Sequence, residues 1–227
     1  VVHEYLQWAM CGSPRPKGKF KLYAVEGGTA AMCYIFKSMK TNRLLNAGDT
    51  IALGTPIFTP YLEMPHLEDY DLKIVNIQAT QENRWQFDDA ELDKLLDPKI
   101  KAFFLVNPGN PSAVALSAKT IAKIGAIIKK RPDLILLTDD VYGTFVPGFR
   151  SLLGAFPYNT IGVYSYSKYF GCTGWRLGVI AVHEDNLFDK LIAQHPETVQ
   201  KRIDKRYGAL TLEPRKLRFI DRIVADS

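Results

Sequence analysis

The chain has 227 residues, a formal net charge of +5, 47% hydrophobic and 23% charged residues, enough for one substantial core and suited to a single α/β domain rather than two. No apolar run approaches the roughly 20 residues of a membrane span, and the basic residues, densest between Lys201 and Arg222, are interrupted by acids and apolar residues, as on solvated amphipathic helices rather than in a nucleic-acid patch. Three dispersed cysteines (Cys11, Cys33, Cys172) leave one unpaired in any disulfide scheme and, with four scattered histidines, offer no metal-ligand spacing, so a reducing cytoplasm is expected and a structural metal is not.

The first residues, Val1-Val2-His3-Glu4-Tyr5, lack the basic and apolar regions of a signal peptide and carry no initiator methionine. The chain is therefore expected to begin inside a longer protein, with 1–22 as an N-terminal extension. Residues 20–25 read as a strand. A helical pattern then opens at Glu26-Gly27-Gly28-Thr29 and continues through Tyr34, Ile35, Met39 and Leu44. Glycines at a helix start expose backbone N–H groups where the dipole favours an anion, which makes a phosphate site; an ordinary cap by Thr29 is the alternative. Residues 49–54 form the next strand pattern and lead into Thr55-Pro56-Ile57-Phe58-Thr59-Pro60-Tyr61, where Phe58 is either a stacking face for a flat ring or a buried loop aromatic.

Residues 72–77 read as a strand and 88–96 as a helix with Asp88 as its cap. The nearly continuous apolar run 100–106 suits a parallel strand buried on both faces. It delivers Asn107-Pro108-Gly109-Asn110-Pro111 at its C-terminal end, a tight turn or a ligand loop, where open α/β sheets place their ligands. Helical spacing over 117–130 buries Ile121, Ile124, Ile127 and Ile128. Strand 134–138 ends at Asp139-Asp140-Val141-Tyr142, and a carboxylate at the mouth of an apolar strand is costly without a partner. A protonated pyridine nitrogen would supply that partner, with Tyr142 close enough to donate to a neighbouring ring oxygen.

After strand 160–164 comes Ser165-Tyr166-Ser167-Lys168-Tyr169-Phe170-Gly171-Cys172-Thr173-Gly174-Trp175-Arg176-Leu177-Gly178. One lysine lies among small hydroxyl residues, with an arginine eight positions on. Lys168 is either a solvated surface lysine or an amine placed to condense with an aldehyde, beside Ser165, Ser167 and Arg176 as partners for its phosphate. Residues 177–182 read as a strand returning through the sheet. From Glu184 onward the pattern is helical, with breaks near Pro196, Gly208 and Pro214. No G-x-G-x-x-G follows the first strand, which argues against a dinucleotide fold.

Taken in order, G-G-T, P-I-F, N-P-G-N-P, D-x-x-Y and S-x-S-K with T-G-W-R-x-G resemble the fold-type I pyridoxal-phosphate enzymes of the class I/II aminotransferase family, from about Tyr23 to about Val182. The resemblance implies an α/β fold: a mostly parallel seven-stranded-type sheet with helices on both faces. It places the pyridoxal 5'-phosphate-binding large domain at 23–195. Residues 196–227 would lead toward a C-terminal small domain that is largely absent. It implies that Lys168 carries the cofactor covalently, that Gly27, Gly28, Thr29, Ser165 and Arg176 hold the phosphate, and that Phe58 stacks on the ring. Asn110 and Tyr142 would address the ring's 3-oxygen and Asp139 its nitrogen.

V-E-G-G-T-A-A-M-C-Y-I-F, D-T-I-A-L-G-T-P-I-F-T-P-Y and T-D-D-V-Y-G-T-F, with Ser112-Ala113 where Thr-Gly is usual, narrow the resemblance to the branch that removes the β-carboxylate of L-aspartate. That branch makes L-alanine and CO2, with transamination on the side. A general aspartate or aromatic aminotransferase, or a cofactor-sensing regulatory domain, are the alternatives. Family members bind the substrate α-carboxylate through a small-domain arginine and borrow contacts from a homodimer partner. Arg215, Arg218 and Arg222 come too soon after the cofactor domain for the arginine role, so residues 1–227 alone are expected to have little or no activity.

Overall fold

In the computed structural model, which describes residues 1–67 and 70–227, the apolar runs assemble into one seven-stranded sheet. The strands are β1 (Phe20–Val25), β2 (Thr50–Thr55), β3 (Lys73–Gln78), β4 (Ile100–Val106), β5 (Ile135–Asp139), β6 (Thr160–Ser165) and β7 (Gly178–His183), in the order β1-β7-β6-β5-β4-β2-β3. Strands β3, β2, β4, β5 and β6 run parallel. β7 returns antiparallel between β6 and β1, which it also pairs antiparallel, so the sheet is mixed though mostly parallel.

Side-chain alternation sorts the core into two layers. Ala102, Phe104 and Val106 of β4, Ile135 and Leu137 of β5, and Ile180 and Val182 of β7 face one layer. Phe103, Leu105 and Leu136 face the other, which Val179 and Ala181 extend toward the N-terminus. Over the first layer lie α2 (Gly28–Thr41), α7 (Leu187–Ala193) and α9 (Phe219–Asp226), contributing Ile35, Phe36, Phe188 and Phe219. Over the second lie α4 (Asp89–Asp93), α5 (Ala118–Lys130) and α6 (Leu152–Ala155). Strands as apolar as the Ala102–Val106 stretch of β4 are stable only under such double cover.

Several local expectations need correction. The helix after Glu26 stops at Thr41, so Leu44 is buried outside it. Thr29 does not cap that helix; Gly27 occupies the cap position at φ 93°, a backbone region costly for any residue with a side chain. The helix at 88–96 is a single α turn continued as a 3-10 turn over Lys94–Leu96. Asp88 does not cap it either, because its carboxylate accepts from Asn83 instead. Ser117 does cap α5, accepting from the Thr120 N–H at 3.1 Å, and in that helix Thr120, Ile124 and Ile127 are fully buried while Ile121 and Ile128 are partly so.

Residues 1–22 are more than a tail. Helix α1 (Val2–Met10) seats Leu6 and Met10 against Leu153, Val179 and Ala181. At the other end, α8 (Glu197–Tyr207) and α9 are tied to α2 through buried polar groups. Asp226 accepts from Ser38 Oγ at 2.9 Å and Tyr207 Oη at 2.8 Å, and Arg222 donates to Asn42 Oδ1 at 3.1 Å over the Tyr207 ring. Each buried polar atom in this knot has a partner, which removes the desolvation penalty such groups otherwise carry.

Candidate active site

β4, β5 and β6 end side by side, with Val106 paired to Asp139 and Asp139 to Val163, so the loops that follow them converge on one edge. β5 and β6 each end on a polar residue after a buried, mostly apolar interior. At the end of β5 that residue is Asp139, 5% exposed. Its Oδ2 accepts from Tyr61 Oη at 2.7 Å and its Oδ1 from the Val141 N–H at 3.1 Å. Burial pushes this carboxyl above its ordinary range, and the two hydrogen bonds oppose that rise. Among the described residues no cation bonds it. The site therefore holds a buried acid with a place for a cationic partner.

The approach of α2 is the second constituent. A Cβ built on Gly28 would lie 3.6 Å from Asp139 Oδ2, 3.8 Å from Ser165 Cβ and 3.8 Å from Tyr61 Oη, so the first turn of α2, β5, β6 and the Tyr61 segment meet at one point. A Cβ on Gly27 would strike the Arg176 guanidinium. Arg176, held in a left-handed conformation at φ 52°, donates to the Glu26 carbonyl and the Thr173 carbonyl, each at 3.1 Å. Gly178, at the start of β7, also abuts Gly27: a Cβ there would come within 2.9 Å of the Gly27 carbonyl carbon. Ser165 Oγ and Ser167 Oγ lie 3.0 Å apart, both buried. A guanidinium, two hydroxyls and the free N–H groups at a helix start, with no side chain on Gly27 or Gly28 to fill the space, make a cup suited to a phosphate dianion.

Lys168 follows Ser167 and is exposed, on a loop that the Thr173 hydroxyl braces by donating to the Ser167 carbonyl at 3.0 Å. A cavity of about 170 Å³ joins Lys168 to Asp139, to Ser165, Ser167 and Arg176, and to Gly28 and Thr29. Phe58, Asn110 and Tyr142 line it as well, and Asn110 Nδ2 lies 3.5 Å from Tyr142 Oη. Every residue singled out from sequence thus lies at this cavity, except that Gly27 stands behind it against Arg176. Thr29 is exposed, and Phe58 is 37% exposed, neither the buried loop aromatic nor a free surface ring. A wider cavity of about 610 Å³ shares Asn110, Tyr142, Ser167 and Lys168 and extends to Phe145 and Val146, leaving room on the far side of the amine. The N-P-G-N-P segment is both things at once: the Gly109 N–H closes a turn on the Val114 carbonyl at 2.9 Å, and the turn presents Asn110 to the cavity.

Tyr61 was missed in the sequence. It is 1% exposed and lines the cavity, yet nothing adjacent in the chain signals its hydroxyl's partner, Asp139, 78 positions away. The Phe58-x-x-Tyr61 spacing, one helical turn, was the available cue. As a whole the donor set fits a phosphorylated pyridine aldehyde: a cup for the phosphate, an acid for the ring nitrogen, two polar groups beside each other for a ring oxygen, and an amine for the aldehyde.

Comparison with known proteins agrees with this geometry. The family described as aminotransferase class I and II matches residues 24–201. A bifunctional aspartate aminotransferase and L-aspartate beta-decarboxylase from a Pseudomonas species is 54% identical over 228 aligned residues, covering 100% of this chain and 43% of that protein. Aromatic-amino-acid aminotransferase 2 of Thermococcus litoralis is 32% identical over 62% of this chain and 36% of its own length. A solved aspartate aminotransferase of Thermus thermophilus, a tetra mutant, superposes with a TM-score of 0.67 at 19% identity, over 98% of this chain and 59% of that one, a likeness of fold. The chain spans less than half the length of these two curated relatives.

Proposed function

The chain belongs to the class I and II aminotransferase family, whose members depend on pyridoxal 5'-phosphate, and from that premise we propose that it β-decarboxylates L-aspartate to L-alanine and CO2, with aspartate transamination as a side activity. The observation that carries the reading is the convergence of Lys168 and Asp139, from two neighbouring strand ends, on a single small cavity beside the Gly27–Arg176 cup. The choice of aspartate and of decarboxylation is supported by the whole-length 54% identity to the bifunctional Pseudomonas enzyme.

In this reading Arg176, Ser165, Ser167 and the N–H groups at the start of α2 would hold the phosphate, and Phe58 would offer the ring a stacking face. Asn110 and Tyr142 donate to the ring's 3-oxygen. The Asp139 carboxylate keeps the ring nitrogen protonated, since a buried anion favours the charged form of its neighbour. When bound, the cofactor supplies an electron sink for bonds broken at the substrate's α- and β-carbons. The Lys168 amine would hold the cofactor and, once displaced by the substrate amine, would take the substrate α-proton at Nζ. Water exclusion decides the outcome: release of the β-carboxylate before hydrolysis gives alanine and CO2, while earlier hydrolysis gives transamination.

The partner is proposed to be a second copy of the enzyme. Trp175, immediately before Arg176, supports this: it is 81% exposed, a large apolar side chain of the kind a partner surface covers. The complete enzyme, given L-aspartate and no keto acid, is expected to release equal amounts of alanine and CO2, and Lys168→Ala is expected to abolish turnover. Turnover only in the presence of a keto acid would assign a general aminotransferase instead, and binding of the cofactor without turnover a sensory domain.

A further inference from the structure

We infer that Tyr61 is a positioning residue for the cofactor ring, bracing Phe58 at the ring's face and fixing the Asp139 carboxylate at its nitrogen. The inference rests on the proposed pyridoxal-phosphate site and goes beyond it in assigning a role to a residue to which the sequence motifs assign none.

Its first support is local. Phe58 caps the short helix α3 (Thr59–Glu63), and the Tyr61 N–H donates to the Phe58 carbonyl at 2.9 Å, so the two side chains belong to one turn. Their rings meet edge to face, with centroids 5.2 Å apart at 87°. Tyr61 is anchored from below by Phe104 of β4 at 4.9 Å. A half-exposed Phe58 is thus backed by a ring that is itself locked into the core. Edge-to-face pairs are worth roughly 0.5–1.5 kcal/mol beyond burial, enough to hold a side chain in one rotamer.

Its second support is the hydroxyl. Both Asp139 oxygens are engaged, one by Tyr61 Oη at 2.7 Å and one by the Val141 N–H at 3.1 Å. Both donors are neutral. A lysine or arginine in Tyr61's place would fix the carboxylate but also quench its charge, and the ring nitrogen would face an ion pair. A phenol fixes the orientation and leaves the charge for the ring. The other ionisable groups around Asp139 are Asp140 and Tyr142 on the following segment, Lys168 and Arg176 across the cavity, and Cys33 on α2 near Tyr61. Of these side chains none is hydrogen-bonded to the carboxylate, so Tyr61 is its one side-chain donor among the described residues.

The test uses the complete enzyme loaded with pyridoxal 5'-phosphate and follows the bound cofactor's absorbance as a function of pH, together with the affinity of the apo-enzyme for the cofactor. Tyr61→Phe keeps the ring contacts and removes only the donor. Asp139 then becomes more basic and draws the nitrogen proton toward itself. The absorbance midpoint is expected to rise by about half a pH unit or more, and the affinity to fall about 3- to 30-fold. In an Asp139→Asn background, adding Tyr61→Phe is expected to move neither quantity further, because the two residues act as one unit.

Should Tyr61→Phe fail to load, site-specific replacement of Tyr61 by 3-fluorotyrosine gives a stronger donor of the same shape, and the midpoint is expected to fall. An unchanged midpoint in a variant that loads, or an equal shift with and without Asp139, overturns this inference alone. A wild-type enzyme that binds no pyridoxal 5'-phosphate overturns both it and the proposed function.

Discussion

Gly27 and Asp140 show how tightly single residues are constrained around the cavity. At Gly27 the backbone is left-handed and the space beside Cα is filled by the Arg176 guanidinium, so Gly27→Ala is expected to cost about 1–3 kcal/mol of stability and to weaken cofactor binding. Gly174, three residues after Gly171 in the same loop, has open space and no left-handed backbone. Gly174→Ala is expected to stay within about 0.5 kcal/mol of wild type, and paired urea titrations check the contrast. Asp140 is buried against Thr138 Oγ1 at 2.7 Å and Ser151 Oγ, and its carboxyl is pushed up to about 7, chiefly by burial, with the Asp139 charge adding and the two hydroxyls opposing. Between about pH 4 and pH 7 the folded state keeps a proton that the unfolded chain has released. Stability of the cofactor-free protein is therefore expected to fall as pH rises through that window, by up to about 4 kcal/mol from this group, and to level off above it. Asp140→Asn is expected to remove that part of the slope. A wild-type protein that gains stability over the same range would contradict the assignment.

Helix ends and strand directions separate what was legible from what was not. Ser117→Ala removes a hydrogen bond at the start of α5 and is expected to cost about 1 kcal/mol, whereas Asp88→Ala at the start of α4 removes no capping bond and is expected to cost less by chemical denaturation. Both residues have the right chemistry for a cap; only the structure shows that Asn83 draws the Asp88 side chain away. The strands were readable because runs such as Phe103-Phe104-Leu105-Val106 and Leu134-Ile135-Leu136-Leu137 have no polar face to leave in water. Direction was readable for the central run 100–106, whose burial on both faces suits a parallel strand, whereas nothing in residues 20–25 signals that β1 pairs antiparallel with β7. Helix α1 escaped notice because its two buried residues, Leu6 and Met10, are too few to outweigh the polar residues between them. Most residues of the site carry roles that their short motifs suggest. Tyr61 sits in such a motif without one, because its role comes from Asp139, which only the fold brings near.

At the scale of the whole molecule, the sheet order β3-β2-β4-β5-β6 turns a set of unremarkable loop motifs into one site, because parallel strands deliver all their C-terminal ends to the same edge. The antiparallel β7 then brings Gly178 up against Gly27 and closes the cup that Arg176 overhangs. The fold thereby places an amine and an acid from adjacent strand ends at one cavity, although Asp139 and Lys168 lie 29 positions apart in the chain. The central claim is that this amine holds the cofactor. Borohydride reduction of the loaded complete enzyme, followed by proteolysis and mass spectrometry of the peptides, tests it most directly: the account predicts the pyridoxyl-phosphate mass on Lys168, and finding it on any other lysine, or on none, would contradict it.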